Sequence, residues 1–326
     1  SEAERRQAKH DIQHVEDIVI EMLRNARDAG ADKVYLATTK DDGVRTLVFL
    51  DNGSGVPQDM QERIFDARVT SKLESMKMDR WGVHGRGMAL FSIKQNTDEA
   101  RVVASDVDLG SVFRVSVATD RLGERADQSS WPQAVKDEDG HYVCARGPHN
   151  IIRAACEFAL EELRACDVYL GSPSEIAATL HAQASSRLDA SRLLFIDDET
   201  ELPVVDRLGL ASDAEDFIRI CSGLGLEMSE RTAHRILAGQ IKPVRGVTAR
   251  LLRERDSSSH APAPVDLAKD RRGLRIAKDD MAQFSRAVER DFNDLAARYY
   301  LNLCGDPKIR VSRDRITVTF DLAKEE

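Results

Sequence analysis

The stretch EMLRNARDAGADKVYLATTKDDGVRTLVFLDNGSG, residues 21–55, decides how this chain folds. Its first part belongs to a helix. Val15, Val19, Met22 and Ala26 recur at helical spacing and Gly30 is placed to end it, so a helix is expected over 11–29. Two runs suited to strands follow, 33–40 and 46–50, and Asp41-Asp42-Gly43 between them is a turn signal, which predicts a hairpin. Asp51-Asn52-Gly53-Ser54-Gly55 then turns the chain off the apolar strand TLVFL.

Outward from this unit come a short helix near 58–65, a polar segment, a glycine-rich entry at 82–87, a helix to about 96, and strands at 100–105 and 111–119. Strands joined by short turns, with helices between pairs, imply a mixed, largely antiparallel sheet layered by helices, an α/β (α+β) class that is not Rossmann-like. Beyond 120 the chain reads as a polar stretch, a strand at 140–145 and helices at 149–166, 174–186, 213–222, 229–238 and 246–254. The Ser/Pro-rich segment DSSSHAPAPV, 256–265, reads as a linker. A final helix over 278–303 precedes a hairpin with strands at 308–312 and 315–321, and no internal repeat is visible. The expected division is 1–125 as the first domain, 126–210 as a mixed, helical connector, 211–256 as helical, 257–270 as linker, and 271–326 as helix plus hairpin.

Composition sets the outer bounds. A chain of 326 residues suits two or three domains, and 42% hydrophobic with 32% charged residues is the balance of a soluble globular protein. No apolar run approaches the roughly 18 residues a membrane helix needs, and the opening SEAERRQAKH lacks a secretory leader's apolar core, so a cytoplasmic location is the expectation. Cys144, Cys156, Cys166, Cys221 and Cys304 form no CxxC pair and lie far from any His cluster, which argues for free thiols. A net charge of -9 excludes uniform nucleic-acid coating but leaves room for a local basic patch.

Three clusters carry chemistry. At ~100° per residue Glu21, Asn25 and Asp28 fall within about 60° of one another, so two carboxylates and an amide share one helical stripe. Mg²⁺ takes oxygen ligands and keeps waters while bridging phosphates, which suits an Asn carbonyl at the metal and a Glu orienting water. Alone, such a stripe is more often a solvated polar face. In the second cluster, Asp51 at a strand end can accept from an exocyclic amine, and glycines permit tight turns close to a flat ligand such as adenine. Alone, DNGSG is more often an ordinary turn. The third, Gly82-Val83-His84-Gly85-Arg86-Gly87, enters the apolar helix MALFSIK, where free backbone N–H groups can cradle phosphates.

In this order, E-x3-N-x2-D-A at 21–29, DxGxG at 51–55, GxxGxG at 82–87 and Gly110-Ser111 opening a strand resemble the GHKL ATPase superfamily. That superfamily includes gyrase B subunits, type IIB topoisomerase B subunits, MutL proteins, Hsp90 chaperones and sensor histidine kinases. The resemblance covers about 10–118 and implies a Bergerat-type α/β sandwich that binds ATP and Mg²⁺. Carried over by position, it makes Glu21 the base activating the attacking water and Asn25 the Mg²⁺ ligand. Asp51 contacts the adenine amine in a pocket shaped by Gly53 and Gly55 and supported by Asp28, while Gly82, Gly85 and Gly87 form the phosphate-side lid and Ser111 opens the following strand. Thr70-Ser71-Lys72 is similar to the TSK element of MutL and type IIB topoisomerases, and HGRGMALFSI is similar to MutL's GxRGEALxSI with His84 and Met88 as departures. Lys72 and Arg86 are candidate phosphate partners. A Glu four residues before the Asn looks like the gyrase, MutL and Hsp90 branch rather than the kinases.

That branch uses ATP to close a dimer through a second domain whose lysine reaches the γ-phosphate. Lys242 in Gln240-Ile241-Lys242 resembles the gyrase element, but in a helical context. The segment 224–243 also resembles a repressor-type helix-turn-helix: short helix, Gly225 turn, then a helix capped by Ser229 with Thr232 and Arg235 exposed. Residues 231–255 hold seven Lys/Arg and one acid, and Arg231, Arg235, Lys242 and Arg245 are the candidate DNA contacts. The competing reading is a helical connector with a solvated basic face. The function expected is a Mg-dependent ATPase that switches conformation or dimerises in DNA transactions, as homodimer or with a separate catalytic subunit. The alternatives are a chaperone-like switch acting on a protein and a binding module without turnover.

Overall fold

The computed structural model describes residues 2–67, 69, 77–79, 82–84, 88–188, 196, 198–259, 278–296, 301–305, 307–311 and 316–324. Two compact units divide between Arg255 and Asp256. The first begins with α1 (Glu2–Asp11) and α2 (Val15–Asp28), then β1 (Lys33–Asp41) and β2 (Val44–Asp51). Asp42 and Gly43 hold φ of 44° and 76° in the hairpin turn, as the Asp-Gly signal requires. The region expected as a short helix resolves into two 3₁₀ turns, Gln58–Met60 and Arg63–Phe65. Next come β3 (Lys77–Asp79), β4 (Gly82–His84), α3 (Ala89–Asn96), β5 (Glu99–Ser105), β6 (Ser111–Ala118), β7 (Gln133–Lys136) and β8 (Tyr142–Arg146). They are followed by α4 (Ile151–Glu161), β9 (Asp167–Gly171), α5 (Pro173–Arg187), α6 (Ala214–Gly223), α7 (Glu230–Leu237) and α8 (Val247–Ser259).

The main sheet has the order β5-β6-β2-β1-β9, with the β5/β6, β6/β2 and β2/β1 pairs antiparallel and β9 parallel to β1. It is the mixed, largely antiparallel sheet expected, with one strand the sequence reading lacked. The helix expected over 149–166 ends at Glu161, Arg164 takes φ of 73°, and the chain turns into β9. Alternation along each strand feeds two cores. Val34, Leu36, Leu47, Phe49, Phe113 and Val115 meet α2, α3 and α4 on one face. Tyr35, Ala37, Val48, Leu50 and Val112 meet α5, α6 and α7 on the other. An unbroken apolar run such as TLVFL belongs to a strand covered on both sides.

The second unit contains α9 (Lys278–Ala296) and four short strands, β10 (Leu301–Leu303), β11 (Lys308–Val311), β12 (Ile316–Thr319) and β13 (Leu322–Lys324). The expected hairpin is β11/β12, while β10 pairs with β13 where the helix expected to 303 has already ended. Most of the expected linker lies outside the described residues, although α8 runs into its start as far as Ser259. No described helix is long and apolar enough to cross a membrane.

Candidate functional site

The apolar stripe of α2 faces the sheet and leaves Glu21, Asn25 and Asp28 half-buried along its other side. Glu21 Oε1 accepts from Arg24 Nη1 at 2.7 Å, and Arg24 is only 3% exposed, so the carboxylate is tethered to a fixed cation. Asp28 Oδ1 accepts from Arg27 Nε at 3.1 Å, and Arg27 Nη1 also donates to Glu162 at 3.2 Å, which ties the end of α2 to the end of α4. Asn25 Nδ2 is buried without a hydrogen-bond partner among the described residues. A side-chain amide so placed can donate to a ligand oxygen or, turned about its last bond, present its own oxygen to a cation. This orphaned amide, flanked by two carboxylates, fits a Mg²⁺ ion held by oxygen ligands and water.

The DxGxG turn closes against the end of the same helix. Ser54 N donates to Ala29 O at 2.9 Å, and a Cβ at Gly53 would lie 2.9 Å from both Ala29 Cβ and Ala29 O, so only glycine lets the turn come this near. Asp51, at the end of β2, is 4% exposed and accepts from Gly53 N at 2.8 Å. Burial pushes its pKa up to about 7 against the backbone N–H groups of Gly53 and Ser111, which pull it down. Ser111 is the cross-strand neighbour of Asp51, and its Oγ lies 3.1 Å from Ser105 Oγ. Ser105 Oγ in turn accepts from Val56 N at 2.7 Å and donates to Gly110 O at 2.8 Å. The role of Ser105 escaped the sequence reading because its partners are scattered along the chain with no period to mark them.

The glycine-rich entry differs from the expected loop at its start. Gly82–His84 is a short strand paired with Lys77–Asp79, Gly82 standing opposite Asp79. Thr70, Lys72, Gly85, Arg86 and Gly87 lie outside the described residues.

The basic residues of 231–255 divide. Ser229 caps α7 by accepting from Thr232 N at 3.3 Å, and Thr232, expected to be exposed, is half-buried with its hydroxyl 3.0 Å from that of Ser229. Ala233 and Ile236 seat α7 on the core. Arg231, Arg235, Lys242 and Arg245 are exposed and form no ion pair among the described residues. A shallow depression of about 580 Å³ is lined by Glu230, Arg231, His234, Arg235, Ala238 and Gln240. Gln240, Ile241 and Lys242 stand in an irregular link between α7 and α8, not in a helix. Arg250 is taken up internally: its Nη1 donates to Leu170 O at 2.9 Å and its guanidinium lies 4.2 Å from the centre of the Trp131 ring.

With this geometry in place, two comparisons bear on it. The family described as Histidine kinase-, DNA gyrase B-, and HSP90-like ATPase matches residues 10–121, the segment that contains Glu21, Asn25, Asp28, Asp51 and Ser111. The chain is also similar to the DNA mismatch repair protein MutL of Chlorobium chlorochromatii (strain CaD3), 36% identical over 106 residues. That stretch is 32% of this chain and spans 16% of the relative's length. Together they support a GHKL-superfamily domain and an ATP-binding ATPase function at the level of the superfamily.

Proposed function

We propose that this protein binds ATP with Mg²⁺ on α2 and the DxGxG turn, hydrolyses it, and uses the resulting change of state in a DNA transaction of the gyrase and MutL kind. The observation that carries the reading is the closure of the Asp51–Gly55 turn on the end of the helix that bears Glu21 and Asn25. Asp51 accepts from the adenine amine, and Gly53 and Gly55 shape its pocket by letting the turn pack against Ala29 and Asp106. Asn25 would hold the ion, which when bound supplies charge neutralisation at the phosphates, and Asp28 supports the adenine pocket. Glu21, fixed by Arg24, takes the proton of the attacking water, a contribution of typically 10²–10⁴-fold in rate. Gly82 belongs to the phosphate-side lid in this reading, with Thr70, Lys72, Gly85, Arg86 and Gly87. Arg231, Arg235, Lys242 and Arg245 contact DNA phosphates, and nucleotide-driven pairing of two copies, or of this chain with a catalytic subunit, gates the DNA.

A single-turnover assay with Mg·ATP tests the site. Glu21→Ala is expected to bind ATP and lose about 10²–10⁴-fold in turnover, and Asp51→Asn to lose binding. Unchanged turnover in the Glu21 variant overturns its assignment. For the DNA arm, neutralising Arg235, Lys242 and Arg245 together is expected to weaken duplex binding and flatten its salt dependence, each phosphate contact contributing a slope of about 0.9. Absence of duplex binding at low salt favours a protein client instead.

A further inference from the structure

Ser105 closes β5 with a buried hydroxyl, only 8% of the residue remaining exposed. A hydroxyl has one proton to give and two lone pairs to offer. The proton goes to Gly110 O at 2.8 Å, and the oxygen accepts from Val56 N, the first N–H after the DxGxG turn, at 2.7 Å. The bond to Gly110 reaches further than the turn. Gly110 O and Ser111 N are the two ends of one planar peptide unit, so fixing the carbonyl fixes where the N–H points. That N–H and the one of Gly53 are the backbone donors to the Asp51 carboxylate. Glycine at 110, with φ of 76° and no Cβ, leaves the unit freer to rotate than another residue would, and the Ser105 bond opposes that rotation. A carbonyl that accepts a hydrogen bond also polarises its amide, which makes the N–H at the other end a stronger donor.

We infer that Ser105 is a positioning residue for base recognition: it aims the Ser111 N–H at Asp51 and so holds the carboxylate in the direction that meets the exocyclic amine of adenine. The inference deepens the function proposed above and rests on Asp51 as the group that reads that amine. Ser105 acts here through the Gly110–Ser111 peptide and through Val56, not by touching the nucleotide. Its effect therefore belongs to one functional group of the ligand, and a purine without the amine gains nothing from it.

The test is a cycle between the Ser105 hydroxyl and the amine, on the full chain with Mg²⁺ present. Titration calorimetry gives the Kd of ADP and of purine riboside diphosphate, which carries hydrogen where adenine carries the amine. Wild type should bind ADP more tightly than the analogue. Ser105→Ala should weaken ADP about fivefold, roughly the worth of one hydrogen bond, and leave the analogue within about twofold, the usual limit for groups that do not interact. Ser105→Thr, which keeps the hydroxyl, should restore the preference. Equal weakening of both nucleotides in Ser105→Ala marks a merely structural bond and overturns the inference, as does an unchanged preference. Gln61→Ala supplies the control, because Gln61 Nε2 donates to Ser105 O at 2.9 Å and holds the same turn without engaging the hydroxyl. It should lower Tm and keep the preference for ADP; loss of the preference there assigns the effect to packing of the turn and overturns the role of the hydroxyl. Should wild type bind neither nucleotide, or both equally, the reading of Asp51 fails and the inference with it. If Ser105→Ala does not fold, Ser105→Cys, close in size but a weak donor, takes its place with the same expected outcome.

Discussion

Asp51 is a carboxyl that folding buries at the end of an apolar strand, and the cost is readable in pH. Its folded value of about 7 stands above the ordinary 3.8, so the native state holds the proton more tightly than the unfolded chain does. Stability without nucleotide therefore falls as pH rises from about 4 to about 7 and is level above that range. At roughly 1.4 kcal/mol per unit the upper figure is on the order of 4 kcal/mol. Asp51→Asn keeps an oxygen for Gly53 N and removes the charge. It should melt at nearly the same temperature at pH 5 and pH 8, exceed wild type at pH 8, and bind no ATP. Melts at the two pH values check this, and a variant less stable than wild type at pH 8 contradicts it. Gly43 and Gly110 share φ of 76°, but a Cβ at Gly43 meets nothing within 4 Å whereas one at Gly110 meets Asp51 O. Urea unfolding should find Gly43→Ala costing about 1 kcal/mol and Gly110→Ala at least ~2 kcal/mol more. The sequence could show that Asp51 ends a strand in a turn; it could not show how deeply the carboxyl is buried, because that depends on Ala29 and Ser111 arriving from elsewhere.

Among the elements, α7 has a cap whose removal isolates it. Ser229→Ala is expected to cost about 1 kcal/mol, a fall of roughly 2–4 °C in Tm for a unit of this size. It should also weaken duplex binding while leaving single-turnover ATP hydrolysis in the absence of DNA unchanged; a larger fall with loss of hydrolysis would show that α7 supports the whole unit. Local pattern made α2, the β1/β2 hairpin, α5 and α7 legible, since each combines a periodic apolar set with its own stop or cap. β9 was not legible. It is five residues long, follows the non-glycine Arg164 at positive φ with no turn signal, and exists only because β1, more than a hundred residues earlier, offers a parallel edge. β7 and the β3/β4 pair fail for the same reason, being three or four residues long and defined by their partners.

For the molecule as a whole, the division after Arg255 predicts that a chain ending there folds, melts in one transition and binds Mg·ATP with the affinity of the full chain. Calorimetry and a binding titration check it, and a molten or non-binding product would show that 256–326 is needed for the fold. The sequence indicated both an ATP-type site and a basic segment, but it gave no sign that they share one sheet, with α2 on one face and α7 on the other. That depends on which face each helix covers, and pattern alone does not say. Arg250, counted at first among the basic residues, shows what a folded chain does with a spare cation. It gives an N–H to Leu170 O on the outermost strand and lies over Trp131. A strand from another molecule seeking to extend the sheet at β9 finds that carbonyl already engaged, and at the opposite margin it meets the charges of Glu99 and Arg101 and a bulge after Val102. The sheet thus ends, on both sides, in terms unfavourable to aggregation by strand addition.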